Sequence, residues 1–271
     1  MKNLLLLLLA LCTTGIAIAQ KQKVNYTAPQ NIKVDGLAKE WGGKYQNNNR
    51  KNELRYTVTN NDKNLYLVIY TADFLAIDKI GRGGITFTIS KLTDKKQRRN
   101  ATDNAVIQYP VRDLTKDMLN LGDFARQYKD FKEEPKTNKR EMDSLINLAN
   151  TRFSETYKLL KVTGITAVAD TFISIYNTHG IKAAARFDHN LGYVYELAVP
   201  LAHLDLDAAS VTKLSYNIKL NGPPGNDEFI RAGRFPAPVV ISISEPNSQA
   251  FEVHQFLNNP TDFWGEYTLA K

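Results

Sequence analysis

The sequence has no pair of cysteines for a disulfide bond and, after its first twenty residues, no segment that could span a membrane. Cys12 is the only cysteine among 271 residues, so no intrachain disulfide can form and stability must come from a buried core. After the first twenty residues, no segment approaches the run of about 20 apolar residues that a membrane-spanning helix needs. A chain of this length can bury a large core without covalent cross-links.

Catalytic signatures are also lacking. The chain has no HExxH, no GxSxG, no P-loop and no dinucleotide-binding fingerprint, and its four histidines are scattered. His203, Asp205 and Asp207 alternate and would share one face of a strand, which makes them a candidate metal site; the alternative is a solvated loop after Pro200. We therefore predict a non-catalytic protein and name no catalytic residue.

Positive charge exceeds negative charge only weakly, with a formal net charge of +7. The one dense basic run comprises Lys91, Lys95, Lys96, Arg98 and Arg99. It is either a patch for an acidic polymer or membrane surface, or a solvated loop between strands. No nucleic-acid-binding module is recognisable, so we expect no nucleic-acid partner.

The first nineteen residues have the organisation of a secretory signal peptide. Lys2 precedes an apolar run over 4–11, and Ala17-Ile18-Ala19 forms a small-x-small cleavage site. We expect cleavage after Ala19 and export to the periplasm or the cell exterior. A lipid anchor on Cys12 is the alternative, but Leu11 stands where a lipoprotein signal places a small residue.

Most of the remaining chain has the pattern of short strands. Residues 53–59 alternate apolar and polar side chains, and a turn at 60–64 joins them to an apolar strand over 65–70, which predicts a hairpin. Further strands are predicted at 85–89, 168–176, 181–187, 192–199, 213–220, 239–243 and 265–269. This spacing predicts a mainly β fold, an antiparallel β-sandwich of immunoglobulin-like or jelly-roll type, in one domain over 20–271.

A helical insertion interrupts the strands at about 91–163. Apolar residues recur there every three or four positions in two stripes separated by Pro135, one including Met118 and the other Met142. We expect both stripes to pack on the sandwich as core, with the methionines filling space rather than ligating haem. The alternative is that a stripe docks onto a protein partner.

The stretch 31–41 carries the most specific motif, in which a short strand ends in Asp35-Gly36 and is followed by Glu40 and Trp41. It resembles the opening of the family 9 carbohydrate-binding modules and of the related DOMON-type sandwiches. Later segments are similar to strands of that family in the required order, namely 64–68, 193–201, 214–221 and 263–269.

The resemblance implies an exported carbohydrate-binding protein that acts with glycan-degrading enzymes in carbohydrate catabolism. The alternative is a cell-envelope interaction module that keeps the sandwich without a sugar site and uses the insertion as its surface. Trp41 and Trp264 are expected to be structural, like the Asp35-Gly36 turn. Glu196 faces solvent, binds the opening turn, or helps to bind the calcium ion that members of this family can carry.

A sugar site in this family uses aromatic rings surrounded by polar groups. Both tryptophans of the chain lie in the motifs above, so a clamp must use tyrosine or phenylalanine. We take the candidates from two predicted loops, one after Tyr70 and one after Asn221. They are Asp73, Phe74 and Arg82 in the first, and Asp227, Phe229 and Arg231 in the second.

Overall fold

The computed structural model describes residues 20–21 (backbone only), 27–112, 139–207, 209, 212–225 and 248–270. The strands in chain order are β1 Gln20–Lys21, β2 Asn47–Asn49, β3 Leu54–Asn60, β4 Asn64–Thr71, β5 Ile85–Ser90, β6 Ala105–Tyr109, β7 Leu159–Thr163, β8 Phe172–Ser174, β9 Lys182–Phe187, β10 Tyr193–Pro200, β11 Lys213–Leu220 and β12 Thr261–Thr268. The helices are α1 Phe74–Gly83, α2 Lys95–Asn100, α3 Lys139–Thr156 and α4 Gln249–Asn258.

These strands form two sheets, which confirms the predicted β-sandwich. One sheet has the order β2-β3-β4-β10-β9 and the other β1-β12-β11-β5-β6-β7-β8. Among the described strands, every pairing is antiparallel except that of β1 with β12. No helix in these described ranges is both long and apolar enough to cross a membrane.

The main core lies between the sheets and is rich in tyrosine. Tyr56 on β3 and Tyr195 on β10 point inward from the smaller sheet, and Tyr216 on β11 points inward from the larger one. The hydroxyls of Tyr56 and Tyr216 are 3.3 Å apart and form a hydrogen bond across the core. Burying these rings supplies apolar area, while the bond satisfies two polar groups that water cannot reach.

The β3–β4 hairpin forms where the sequence predicts it. Asn61 closes the turn, because its Oδ1 accepts hydrogen bonds from the backbone N–H groups of Lys63 and Asn64 at 3.0 and 2.9 Å. The bonds fix the register in which Asn60 lies opposite Leu65 and Arg55 opposite Tyr70.

The stretch 91–163 is not uniformly helical. It contains β6 and β7, which lie inside the larger sheet between β5 and β8. The second apolar stripe forms α3, whose Ile146, Ala149 and Phe153 are buried; Met142 packs against the same core. The stripe around Met118 lies outside the described residues. A strand of five residues shows little alternation of its own. The sequence therefore did not distinguish β6 and β7 beside the strongly periodic α3.

Two other predicted segments differ in the structure. The stretch expected to be a loop after Tyr70 is α1, which begins because Asp73 Oδ1 accepts a hydrogen bond from Ala76 N at 2.8 Å. Gly81 belongs to this helix. The strand expected over 168–176 is limited to β8, and that expected over 239–243 lies outside the described residues.

The basic run is partly buried rather than fully solvated. Residues of this run form α2, and Arg98 is only 3 % exposed. Its guanidinium lies 4.6 Å from the ring centroid of Trp264 and donates a hydrogen bond to Ser215 Oγ at 3.0 Å. Arg98 therefore attaches α2 to the outer face of the larger sheet.

Candidate functional site

The opening segment, residues 28–45, packs across the outer face of the smaller sheet. Trp41 is 2 % exposed and contacts a small apolar cluster with Tyr66 and Val68 of β4 and Val194 of β10. Alternation along these strands sends Tyr66, Val68 and Tyr70 outward while Leu65, Leu67 and Ile69 enter the main core. The structure thus places Trp41 in a second, structural core.

Glu196 lies at the centre of this outer face and fastens the opening segment to it. Its Oε2 accepts hydrogen bonds from the backbone N–H groups of Gly36 at 2.7 Å and Asp35 at 3.2 Å. Its Oε1 accepts one from the indole N–H of Trp41 at 2.9 Å. Burial raises the pKa of Glu196, and these three bonds to the carboxylate oppose the rise.

Of the three roles expected for Glu196, contact with the opening turn is the one observed. Both carboxylate oxygens face N–H donors, so this residue does not fit a calcium ligand. Across the part of the chain that the structure describes, no three His, Cys, Asp or Glu side chains are grouped closely enough to hold an ion.

The proposed alternation of His203, Asp205 and Asp207 on one strand face is wrong. His203 belongs to a 3-10 turn over Leu201–Leu204 that follows β10. Asp205 pairs with Lys91 at 2.9 Å, His203 Nε2 lies 2.7 Å from the carbonyl oxygen of His179, and Asp207 Oδ1 accepts a hydrogen bond from Ala209 N. Pro200 ends the strand, so the three side chains diverge.

One row of the smaller sheet runs along the edge of the opening segment. In register across four strands, Arg55 pairs with Tyr70, Tyr70 with Val194, and Val194 with Arg186. Because these residues are directly opposite one another on adjacent strands, their side chains share the outer face. The row crosses from β3 to β9.

A cleft of about 800 Å³ opens above this row. Tyr45 and Lys39 of the opening segment form one wall, and α3 forms another with Asp143 and Asn147. Asp188 and His189, in the turn after β9, close the end. The volume lies within the range of roughly 300–1,000 Å³ that is usual for small-ligand sites.

Two tyrosines and an arginine form a stacked group in the cleft. The ring centroids of Tyr45 and Tyr70 are 5.7 Å apart with the planes inclined by 35°. The guanidinium of Arg55 lies 4.4 Å from the ring centroid of Tyr70 and 5.6 Å from that of Tyr45. Burial raises the pKa of Tyr45 to about 12, despite the opposing effect of Arg55, so its hydroxyl stays protonated at neutral pH.

The walls of the cleft are held by side-chain-to-backbone hydrogen bonds. Asn150 on α3 donates to the carbonyl of Phe187 at 3.0 Å and accepts from its N–H at 2.8 Å, which fixes α3 to β9. Asp188 Oδ1 accepts from the N–H groups of Asn190 and Gly192 and shapes the turn before β10. The cleft is therefore largely formed before a ligand arrives.

The predicted sugar-binding residues that the structure describes do not line this cleft. Asp73 caps α1, Phe74 is the first residue of that helix, and Arg82 forms an ion pair with Asp78 at 2.8 Å. The structure gives these three local roles. Asp227, Phe229 and Arg231 lie outside the described residues.

Comparison of the chain with family models, with curated proteins and with solved structures found no match.

Proposed function

We propose that this protein is an exported, non-catalytic carbohydrate-binding protein whose ligand occupies the cleft above β3, β4, β10 and β9. The stacked group of Tyr45, Arg55 and Tyr70 is the observation that carries the proposal. Tyrosine rings present apolar faces that can pack on the C–H face of a pyranose, and their hydroxyls supply polar contacts at the ring edge.

Polar side chains around the aromatic group suit the hydroxyls of a sugar. Asn147 and Asp143 approach from α3, and His189 approaches from the turn after β9. Amides can donate to and accept from vicinal hydroxyls, and carboxylates can accept from them; an apolar floor with a few polar groups is typical of small-ligand sites. This combination of an apolar floor with polar side chains, positioned by packed strands and a helix, supports a saccharide ligand.

The contact between two distant motif stretches supports the family resemblance. The Asp35-Gly36 turn and Trp41, from the opening motif, converge on Glu196 of the later strand motif. In this proposal the network is the scaffold that holds one wall of the cleft. Export rests on the signal-like residues 1–19, and a role beside glycan-degrading enzymes rests on the resemblance.

Binding is proposed rather than turnover because one of the two described carboxylates that line the cleft is already bound by the backbone. Glycosidases use a pair of carboxyl groups flanking the scissile bond. The described carboxylates of the lining are Asp143 and Asp188, and Asp188 already accepts two backbone hydrogen bonds.

The test is a glycan array followed by calorimetric titration of the best ligand. We expect Tyr70→Ala and Tyr45→Ala to weaken binding at least tenfold. Tyr176→Ala is the matched control, since Tyr176 is 77 % exposed and does not line the cleft. Binding that is equal in all three variants, or no binding to any glycan, would overturn the proposal.

The alternative of a protein-interaction module has weaker support. It places the working surface in 91–163, but the apolar stripe of α3 is buried in the sandwich. Capture of one defined envelope protein that is lost on substitution of exposed α3 residues, with no glycan binding, would favour it.

A further inference from the structure

We propose that the glycan bound in the cleft is anionic, and that its carboxylate or sulfate groups are recognised by Arg55 and Arg186. This inference rests on the proposed function and narrows it to acidic oligosaccharides. Three observations carry it: the placement of the two guanidinium groups, the absence of a carboxylate partner for either among the described residues, and the backbone hydrogen bonds that engage Asp188, an acid of the lining.

Arg55 and Arg186 stand at the two sides of the same cleft. They occupy one register row, with Tyr70 and Val194 between them. Three strand spacings separate them, which corresponds to about 14 Å between their backbones. Two charged groups at that separation, on either side of an aromatic floor, suit an extended ligand that carries more than one acidic group.

Neither guanidinium is neutralised within the described chain. Both side chains are exposed, and no carboxylate of a described residue forms an ion pair with either of them. Other basic residues of the protein do have such partners: Arg82 pairs with Asp78, Lys91 with Asp205, and Lys213 with Glu266. Arginines left unpaired beside a ligand-sized cleft are available for bidentate contact with a carboxylate or sulfate.

The local field favours an anion. Lys39 adds a third positive charge to the lining, against the carboxylates of Asp143 and Asp188. Asp188 Oδ1 accepts hydrogen bonds from Asn190 N at 2.8 Å and Gly192 N at 2.7 Å, so its charge is partly satisfied by the backbone. The lining therefore carries three positive side chains against two negative ones, and the nearby carboxylate of Glu196 is already bound by three N–H donors.

The two arginines are also held in position. Arg55 stacks on Tyr45 and Tyr70, and the stem of Arg186 packs on Gly36, where a β-carbon would lie 2.7 Å from Arg186 Cγ. Side chains that are already ordered lose little rotamer freedom on binding. This positioning distinguishes them from freely rotating surface cations, which attract anions only weakly.

The experiment compares matched acidic and neutral ligands by titration calorimetry at low and moderate salt. The carboxylate pair is an oligogalacturonate and the same oligomer with every carboxyl group methyl-esterified. The sulfate pair is a carrageenan oligosaccharide and its desulfated form. The proteins are the wild type, Arg186→Gln, Arg55→Gln and Arg99→Gln. Arg99 is the charge-matched control, because it is exposed on α2 and does not line the cleft.

We expect one acidic ligand to bind at least tenfold more tightly than its neutral partner, and the preference to shrink as salt increases. Arg186→Gln should reduce the preference at least fivefold, and Arg99→Gln should have no effect. Which pair responds identifies the acidic group as carboxylate or sulfate.

Equal binding of acidic and neutral partners would overturn this inference and leave the proposed function standing. An acidic preference that survives both Arg55→Gln and Arg186→Gln would also overturn it. If no acidic or neutral glycan binds at all, the proposed function fails together with the inference.

Discussion

The indole N–H of Trp41 donates a 2.9 Å hydrogen bond to the carboxylate of Glu196, although 155 positions separate the two residues. The same carboxylate accepts the N–H groups of Asp35 and Gly36. All three partners are donors, so an ionised carboxylate, which only accepts, matches them completely. The opening segment is thereby fixed on the sheet, and Tyr45 is brought to the edge of the cleft.

Glu196→Gln should destabilise the protein. A glutamine must direct its NH₂ group either at the indole N–H or at the backbone N–H groups. At least one buried hydrogen bond is then lost, and two N–H groups point at each other in its place. We expect a loss of about 1–3 kcal/mol in the free energy of unfolding, measured by urea denaturation. Glu252→Gln, on the exposed face of α4, is the control. A change of less than about 0.5 kcal/mol would show that the network contributes little.

The buried ammonium of Lys79 should make the free energy of unfolding depend on pH. The residue is fully buried, with its ammonium 2.9 Å from Thr261 Oγ1 and 4.2 Å from the centroid of the Phe256 ring. Burial lowers the pKa of Lys79 to about 8 from 10.5. Between these values the unfolded chain binds more protons than the folded protein, so the stability contributed by this group increases as pH rises from about 8 to 10.5.

Lys79→Met should remove that increase. It should also raise the free energy of unfolding at pH 7, because a buried charge without a carboxylate partner in the described chain is replaced by an apolar side chain. We expect the difference between variant and wild type to shrink by about 1–3 kcal/mol between pH 7 and 10.5. Parallel stability curves for the two proteins would contradict this assignment.

Gly36→Ala should damage the turn that Glu196 holds. Gly36 has φ of +78°, and a β-carbon there would lie 2.7 Å from Arg186 Cγ and 2.9 Å from the carbonyl carbon of Ala185. We expect a loss of about 1–3 kcal/mol and weaker ligand binding. Gly42→Ala separates strain from crowding, since Gly42 also has positive φ but nothing within 4 Å of the added atom. Equal losses in both variants would mean that the contact with Arg186 is unimportant.

Arg98→Lys tests the attachment of α2 to the larger sheet. A lysine cannot both cover the Trp264 ring and reach Ser215 with a planar donor group. Thermal unfolding should show a loss of about 1–2 kcal/mol, and the fluorescence of Trp264 should change. Arg99→Lys, on the same helix but exposed, should leave both signals unaltered.

Local periodicity was sufficient to predict the sandwich but not its cleft. The alternation at 53–59 and the turn at 60–64 predicted the β3–β4 hairpin, and its register alone would have placed Arg55 opposite Tyr70. Predicting that Arg186 joins them requires knowing that β10 lies between β4 and β9, which is a long-range pairing with no local signal.

The sequence did not predict α1, because this segment is rich in glycine. Gly81, Gly83 and Gly84 are typical of a turn. Asp73 indicates a helix start by its capping position and its spacing to the apolar residues, but it is the weaker of the two signals. The error moved Asp73, Phe74 and Arg82 into a supposed binding loop. Similarly, Glu196 had three admissible roles in the sequence, and only its distance to Trp41 distinguishes them.

The four strands beneath the cleft come from distant parts of the polypeptide, since β3 and β4 precede position 72 and β9 and β10 follow position 181. The early pair carries Arg55 and Tyr70, whereas Val194, Glu196 and Arg186 follow much later in the chain. A truncated product ending before β9 therefore presents only half of the surface. Under the proposed function, ligand binding would therefore require a chain that has been synthesised through β10.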